Sequence, residues 1–312
     1  MTNSIFTTKT AKKHGFNRKK RKDLIFYCCL LFLPILQFCV FYIGVNANSL
    51  LLAFKDYSDG PAKFVGFDNF ERLFYDFKNL PMFEYALQNS FTAYFAGLIF
   101  GMSIGLIFSY YIYKKMWGAS FFKVVLFAPS IISSMITVIL YSYFVNEYIP
   151  VVVKDLFDEK IYGLLTNKDT RFATVLFFNI WMGFGGSILM YQGAMHNISE
   201  SVIEAAQIDG VGPIGEFIRI VLPQIFSTVS VFLLTGLAGI FTNQMQLFAF
   251  FGANNEPRFY TIGYYLYYKV QTAMSYAEYP YLSALGLIIT ACTIPVVLFF
   301  RWLFNRIDPM ND

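Results

Sequence analysis

Very few residues in this 312-residue chain could carry covalent chemistry. Its two histidines are His14 and His196, and neither forms a nucleophile–base pair or a metal cluster with its surroundings. The four cysteines, Cys28, Cys29, Cys39 and Cys292, all lie in apolar runs without a CxxC spacing, so they read as space-filling thiols. No G-x-x-x-x-G-K-[ST] phosphate loop occurs. The chain is therefore expected not to be an enzyme, not to hydrolyse ATP by itself, and to hold no metal or cofactor of its own.

What remains is non-covalent recognition. Asn179 and Gln192 share one apolar run with Trp181 and Tyr191, and Thr242, Asn243, Gln244 and Gln246 cluster in another. Amides can bond hydroxyls, and aromatic rings can stack on sugar faces. These eight residues are the candidate lining of a path for a neutral, hydroxyl-rich ligand. A blander role competes with this one. Asn, Gln and Thr also join membrane helices, and aromatic residues form belts at the membrane surface. The Asn243–Gln246 cluster is the stronger part, because so many amides together are costly against lipid.

The most patterned polar stretch runs from Ser201 to Pro223. Ser201 followed by Glu204 has the spacing of a capping box. Ala205 and Ala206 are small helix formers. Asp209-Gly210 signals a turn, with Gly210 suited to the left-handed position after a helix end. Gly212-Pro213 then opens a second helix. Ile214, Phe217, Ile218 and Val221 would form an apolar stripe on it, anchoring the segment to its own membrane domain. Glu216 and Arg219 share another face at i, i+3. The expected product is a short helix–turn–helix, read either as a surface loop packing on its own bundle or as a knob whose small residues admit another protein's groove. With one Arg and no Lys, it does not read as a nucleic-acid binder.

The elements that position these residues belong in a membrane. Only 14% of residues are Asp, Glu, Lys or Arg, and 56% are hydrophobic. The charged share falls well below the roughly 25% of soluble domains. Six apolar runs are long enough to span a bilayer: 24–45, 89–113, 120–146, 172–195, 224–251 and 281–304. None carries a charge at depth. This argues against a proton- or sodium-coupled carrier, which often keeps ionisable groups at mid-membrane. Lys9, Lys12, Lys13, Arg18, Lys19, Lys20, Arg21 and Lys22 precede the first run. By the positive-inside rule that tail is cytoplasmic, and an even helix count returns the C-terminus to the same side. The expected organisation is a basic tail, 1–23, then a six-helix domain, 24–312, carrying the knob at 199–223.

The knob resembles the EAA motif of permease subunits in binding-protein-dependent ABC importers, E-A-A-x3-G-x9-I-x-L-P. Glu204, Ala205, Ala206, Gly210, Ile220, Leu222 and Pro223 match it, and Asp209 and Phe217 fit the carbohydrate branch. Further stretches are similar along the chain: residues 64–74, Asn89-Ser90, Pro129–Ser133 and Tyr265–Tyr268. The basic tail and C-terminal ending resemble the maltose-type first permease more than its usual partner. The resemblance implies an all-α, type I importer permease with both termini cytoplasmic, in a prokaryotic plasma (inner) membrane. It implies half of a sugar path, coupled through the knob to ATP-binding subunits. The implied partners are a second permease, two ATP-binding subunits that bind ATP and Mg, an extracytoplasmic solute-binding protein and the lipid membrane. Departures lie around the fifth run, at Gln246–Ala249, Asn255–Pro257 and Ser227. They bear on substrate more than on coupling. An autonomous carrier or channel, or an importer of another solute such as glycerol-phosphate, stands as the alternative.

Overall fold

A computed structural model describes residues 9–58 and 60–309. The side chains of residues 9–19, and with them Lys9, Lys12, Lys13, His14, Arg18 and Lys19, lie outside the described residues, as does that of Phe184.

Helix α1 runs as Lys9–Gln37, a π-type stretch Phe38–Gly44, and Val45–Leu52. Pro34 inside it cannot donate a backbone bond, which favours a locally rewound helix a turn later. A two-residue antiparallel ladder, β1 (Lys55–Asp56) and β2 (Lys63–Phe64), leads to the strongly amphipathic helix α2, Asp68–Asn79. Next comes α3, Pro81–Tyr113, started by a proline at its first turn. Helices α4 (Ala119–Ile131) and α5 (Ser134–Phe157) follow, then α6 (Lys168–His196). The knob consists of α7 (Glu200–Ile208) and α8 (Pro213–Gln224). Helix α9, Phe226–Gly239, leaves α8 at a 71° bend. The short α10 (Leu247–Phe251), α11 (Ile262–Thr272) and α12 (Tyr279–Ile307) complete the chain.

Among the described residues, five helices are long and apolar enough to cross a membrane, or six if the bent pair is one span. Two expected spans are corrected. The run 120–146 is not one helix: Ile132 and Ser133 are extended between α4 and α5, just after Pro129, and α5 continues to Phe157. The run 224–251 is also broken. Helix α9 stops at Gly239, and Met245 and Gln246 adopt left-handed backbone at φ +51° and +55°. Three of the other four helices extend beyond their apolar runs at both ends, and the second begins earlier, at Pro81. Backbone bonds continue a helix into its polar flanks.

Among the described residues the bundle has two apolar cores. One lies towards the N-terminal ends of α3 and α6 and includes Phe83, Val175, Met245, Leu247, Tyr264 and Leu285. The other lies at their C-terminal ends and joins the knob to the bundle through Tyr110, Met195, Ile203, Val221 and Ile225. Helix α1 has none of its apolar span buried. In water that would be untenable. In lipid such side chains face a medium as apolar as themselves.

Candidate functional site

The knob is built as its composition dictates, with two corrections. Helix α7 starts two residues earlier than the expected capping box. Its N-cap is Ser199, Ser201 lies inside the helix, and the two hydroxyls are 2.8 Å apart. Gly210 takes φ +73°, and Pro213 opens α8 behind an extended Gly212. The apolar stripe divides. Val221 is buried and Phe217 partly so, whereas Ile214 and Ile218 are 76% and 56% exposed. The reason is a π-type stretch, Phe217–Val221, which shifts the register by one residue.

Its faces are chemically distinct. Glu204, Ala205, Asp209 and Gly210 are exposed, and Ile208 is 86% exposed. Ala206 is buried, as is Ile203. On α8, Ile220 and Leu222 pack against the core at the C-terminal ends of α3 and α6, and Pro223 closes the arm before the bend. The expected common face of Glu216 and Arg219 is not found. Arg219 is exposed, while Glu216 is buried at 2% exposure and bonds Lys114 Nζ at 2.9 and 3.1 Å.

Between the two cores lies a cavity of about 460 Å³, within the range of small-molecule sites. Helix α3 lines it with Ser90, Tyr94, Gly97 and Gly101, α6 with Asn179, Gly183, Ser187 and Tyr191, and α9 with Phe232 and Gly236. The broken segment after α9 adds Thr242, Asn243 and Met245. Among the described residues, Asp, Glu, Lys, Arg and His are absent from the lining. The cavity thus gathers four of the eight sequence candidates: Asn179, Tyr191, Thr242 and Asn243. The other four do not border it. Trp181 stacks among Tyr141 and Phe178, Gln192 reaches His196 at 3.5 Å, and Gln244 and Gln246 belong to the break. Gln244 Oε1 is buried there with no hydrogen-bond partner. The small residues Gly97, Gly183 and Gly236 make room for the cavity, a role their sequence did not disclose.

The break is held by side chains. Asn179 Nδ2 donates to the Met245 carbonyl at 2.8 Å and to Val175 at 2.9 Å, so the amide serves as glue as well as lining. Asn243 Oδ1 accepts the Met245 N–H at 2.8 Å. Thr261 Oγ1 donates to the Asn243 carbonyl at 3.0 Å. A Cβ on Gly263 would come within 2.6 Å of the Thr242 carbonyl, so only glycine allows this approach. Asn89 Nδ2 grips the carbonyls of Arg258 and Tyr260, and Ser90 Oγ accepts the Ile262 N–H at 3.1 Å. Unwound backbone inside a membrane bundle is tolerated only where protein or a cavity satisfies it, and such breaks are where transporters bind solutes.

At the end opposite the knob, Arg171 bonds Glu256 at 3.3 Å and lies over the rings of Phe251 and Phe259. Lys168 reaches the same carboxylate at 3.1 Å. The Lys168 bond, with the Lys168 and Arg171 charges, holds the Glu256 carboxyl below its ordinary value against the opposing effect of desolvation.

Comparison with known proteins places this architecture. Residues 84–310 match the model of the binding-protein-dependent transport system inner membrane component family. The chain is 26% identical over 278 residues to the probable ABC transporter permease protein YurN of Bacillus subtilis, covering 86% of this chain and 92% of that one. It is 25% identical over 270 residues to the arabinooligosaccharides transport system permease protein AraP of the same organism, covering 85% and 83%. A chain from the crystal structure of a bacterial ABC transporter involved in the import of the acidic polysaccharide alginate superposes with a TM-score of 0.76 at 22% identity, covering 94% of this chain and 99% of that one. That transporter has also been solved in complex with an alginate pentasaccharide-bound periplasmic protein.

Proposed function

This chain belongs to the binding-protein-dependent transport system inner membrane components, and from that premise we propose that it forms half of an ATP-driven import path for a neutral oligosaccharide. It is a multi-pass membrane permease of a family of transporters, not of enzymes. In our reading the knob end faces the cytoplasm. Glu204 to Gly210 enters a groove of one of two ATP-binding subunits, which hold the ATP and Mg. A second, similar permease closes the path, and an extracytoplasmic solute-binding protein loads it.

One observation carries this reading: a small-residue knob joins two helices, α6 and α9, that both line the cavity. The exposed edge of Glu204, Ala205 and Ile208 is the part that a groove could take. The buried rear passes displacement to the bundle. Glu204, at the centre of that edge, would orient the knob through donors on the partner. AraP's name supports an oligosaccharide as the solute. The uncharged cavity wall favours a neutral sugar over an acidic one, because an anion removed from water needs fixed partners. Asn243 and Thr242 would bond hydroxyls while Tyr94 offers a ring.

Partner capture tests this directly. The tagged chain is purified in mild detergent from its native membranes, beside the Glu204→Lys variant. The expected result is a second permease and a phosphate-loop ATPase with the wild type, and loss of the ATPase alone with the variant. A stable preparation containing no ATPase in either sample would refute the reading and favour an autonomous carrier. The sugar path has a separate check: Asn243→Ala should lower uptake without lowering complex yield, and unchanged uptake would remove Asn243 from the path.

A further inference from the structure

The pair between Lys114 and Glu216 belongs neither to the exposed edge of the knob nor to the cavity. Lys114 follows the last turn of α3, and Glu216 lies on α8, 102 residues away in sequence. Both Glu216 oxygens accept from Lys114 Nζ, at 2.9 and 3.1 Å. The Tyr110 hydroxyl stands 3.1 Å from Glu216 Oε1 and 3.0 Å from the Pro213 carbonyl, so its single proton is shared between them. The Tyr110 ring lies on Phe217 with centroids 4.9 Å apart. Exposed ion pairs slide and reform at little cost. This one cannot. Separating the partners would strand a carboxylate that is 2% exposed, in surroundings where an unpaired charge is strongly unfavourable.

What the pair connects gives it meaning. Helix α3 carries cavity-lining residues up to Met102, and Lys114 lies about 18 Å further along its axis at 1.5 Å per residue. Helix α8 passes through the 71° bend into α9, whose Phe232 and Gly236 form another cavity wall. Three linkages therefore leave the knob. Two are the chain itself, back into α6 and on into α9, which both line the cavity. The third is the ion pair, into α3. We infer that Lys114 and Glu216 are positioning residues that make α3 move with the knob, so that all three helices lining the cavity respond to one displacement. Without the pair, the knob drives only α6 and α9 directly. This inference rests on the reading of the knob as the docking element for an ATP-binding subunit.

The test uses the whole captured complex in lipid nanodiscs. Cys28, Cys29, Cys39 and Cys292 are replaced by serine. Gly183→Cys supplies a reporter on the cavity wall, where a Cβ meets nothing within 4 Å. The rate of maleimide labelling is measured with and without ATP plus vanadate. Glu216→Gln keeps the side-chain volume and an acceptor for Tyr110 but removes the charge. It should retain the ATPase subunit and its basal ATP hydrolysis. The nucleotide-induced change in labelling should shrink about tenfold, a typical size for a lost coupling interaction. Lys114→Met/Glu216→Leu, which leaves no lone buried charge, should behave the same way. The reversed pair, Lys114→Glu/Glu216→Lys, should restore the response. A full response in both Glu216→Gln and the apolar double variant would overturn the inference. Absence of the ATPase from the parent complex would instead overturn the docking reading, before any change at 114 or 216, and this inference with it.

Discussion

At the scale of single residues, burial decides what a polar side chain does. Asn179 borders the cavity, yet its two amide protons are already committed to the carbonyls of Val175 and Met245. Only its oxygen is left for a ligand. Asn179→Leu should therefore destabilise the protein by about 1–3 kcal/mol, the cost of an unmet buried bond, read as a lower midpoint in thermal unfolding. Uptake lost without that shift would contradict the structural role. Glu256 gives a signed pH dependence. Its folded value is depressed below 4.5 by the Lys168 bond and the neighbouring charges, so the stability it contributes is complete above that value. It is lost as pH falls through the lower folded value. Wild type should lose more thermal stability than Glu256→Gln between neutral pH and the region below 4.5. Equal losses would show the bridge to be idle.

At the scale of elements, the interesting places are interruptions. Beyond the end of α9 at Gly239, Met245 and Gln246 both take left-handed backbone, which costs a non-glycine residue about 1–2 kcal/mol. Gln246→Gly should relieve part of that strain and raise the unfolding midpoint, whereas Gln246→Val should lower it. Opposite signs would mean that side-chain contacts of Gln246 outweigh its backbone. Gly263→Ala should also be destabilising, since its Cβ would meet the Thr242 carbonyl at 2.6 Å. The knob's elements were the most legible part of the sequence. Asp209-Gly210 and Gly212-Pro213 are local turn chemistry, and the turn forms as their spacing implies. The breaks at Ile132–Ser133 and Gly239–Gln246 were not legible. The first is marked in its apolar run only by the nearby Pro129, and the second, although it holds the polar cluster 242–246, is satisfied by side chains far away in sequence, Asn179 and Thr261.

At the scale of the whole molecule, the solvent is lipid, and that changes which contacts matter. Leu33 on α1 is 69% exposed, and Leu33→Ala should alter stability by less than about 0.5 kcal/mol. Phe178 is fully buried among Tyr141, Trp181 and Phe250, and Phe178→Ala should cost about 3–5 kcal/mol. Unfolding of both variants in mixed detergent micelles checks the contrast, and equal effects would mean that α1 packs as tightly as the bundle. The two cores with a cavity between them suit a protein whose middle must change shape while its ends hold. By itself, the sequence determined the membrane class, the apolar segments and the knob, because hydropathy, turn chemistry and a local motif act over a few residues. It also marked Asn179, Tyr191, Thr242 and Asn243 without being able to separate them from Trp181, Gln192, Gln244 and Gln246. Only the tertiary structure decided that separation, the partner of Glu216 and the two helix breaks. Each depends on which groups from distant segments meet away from water, and no local spacing encodes that.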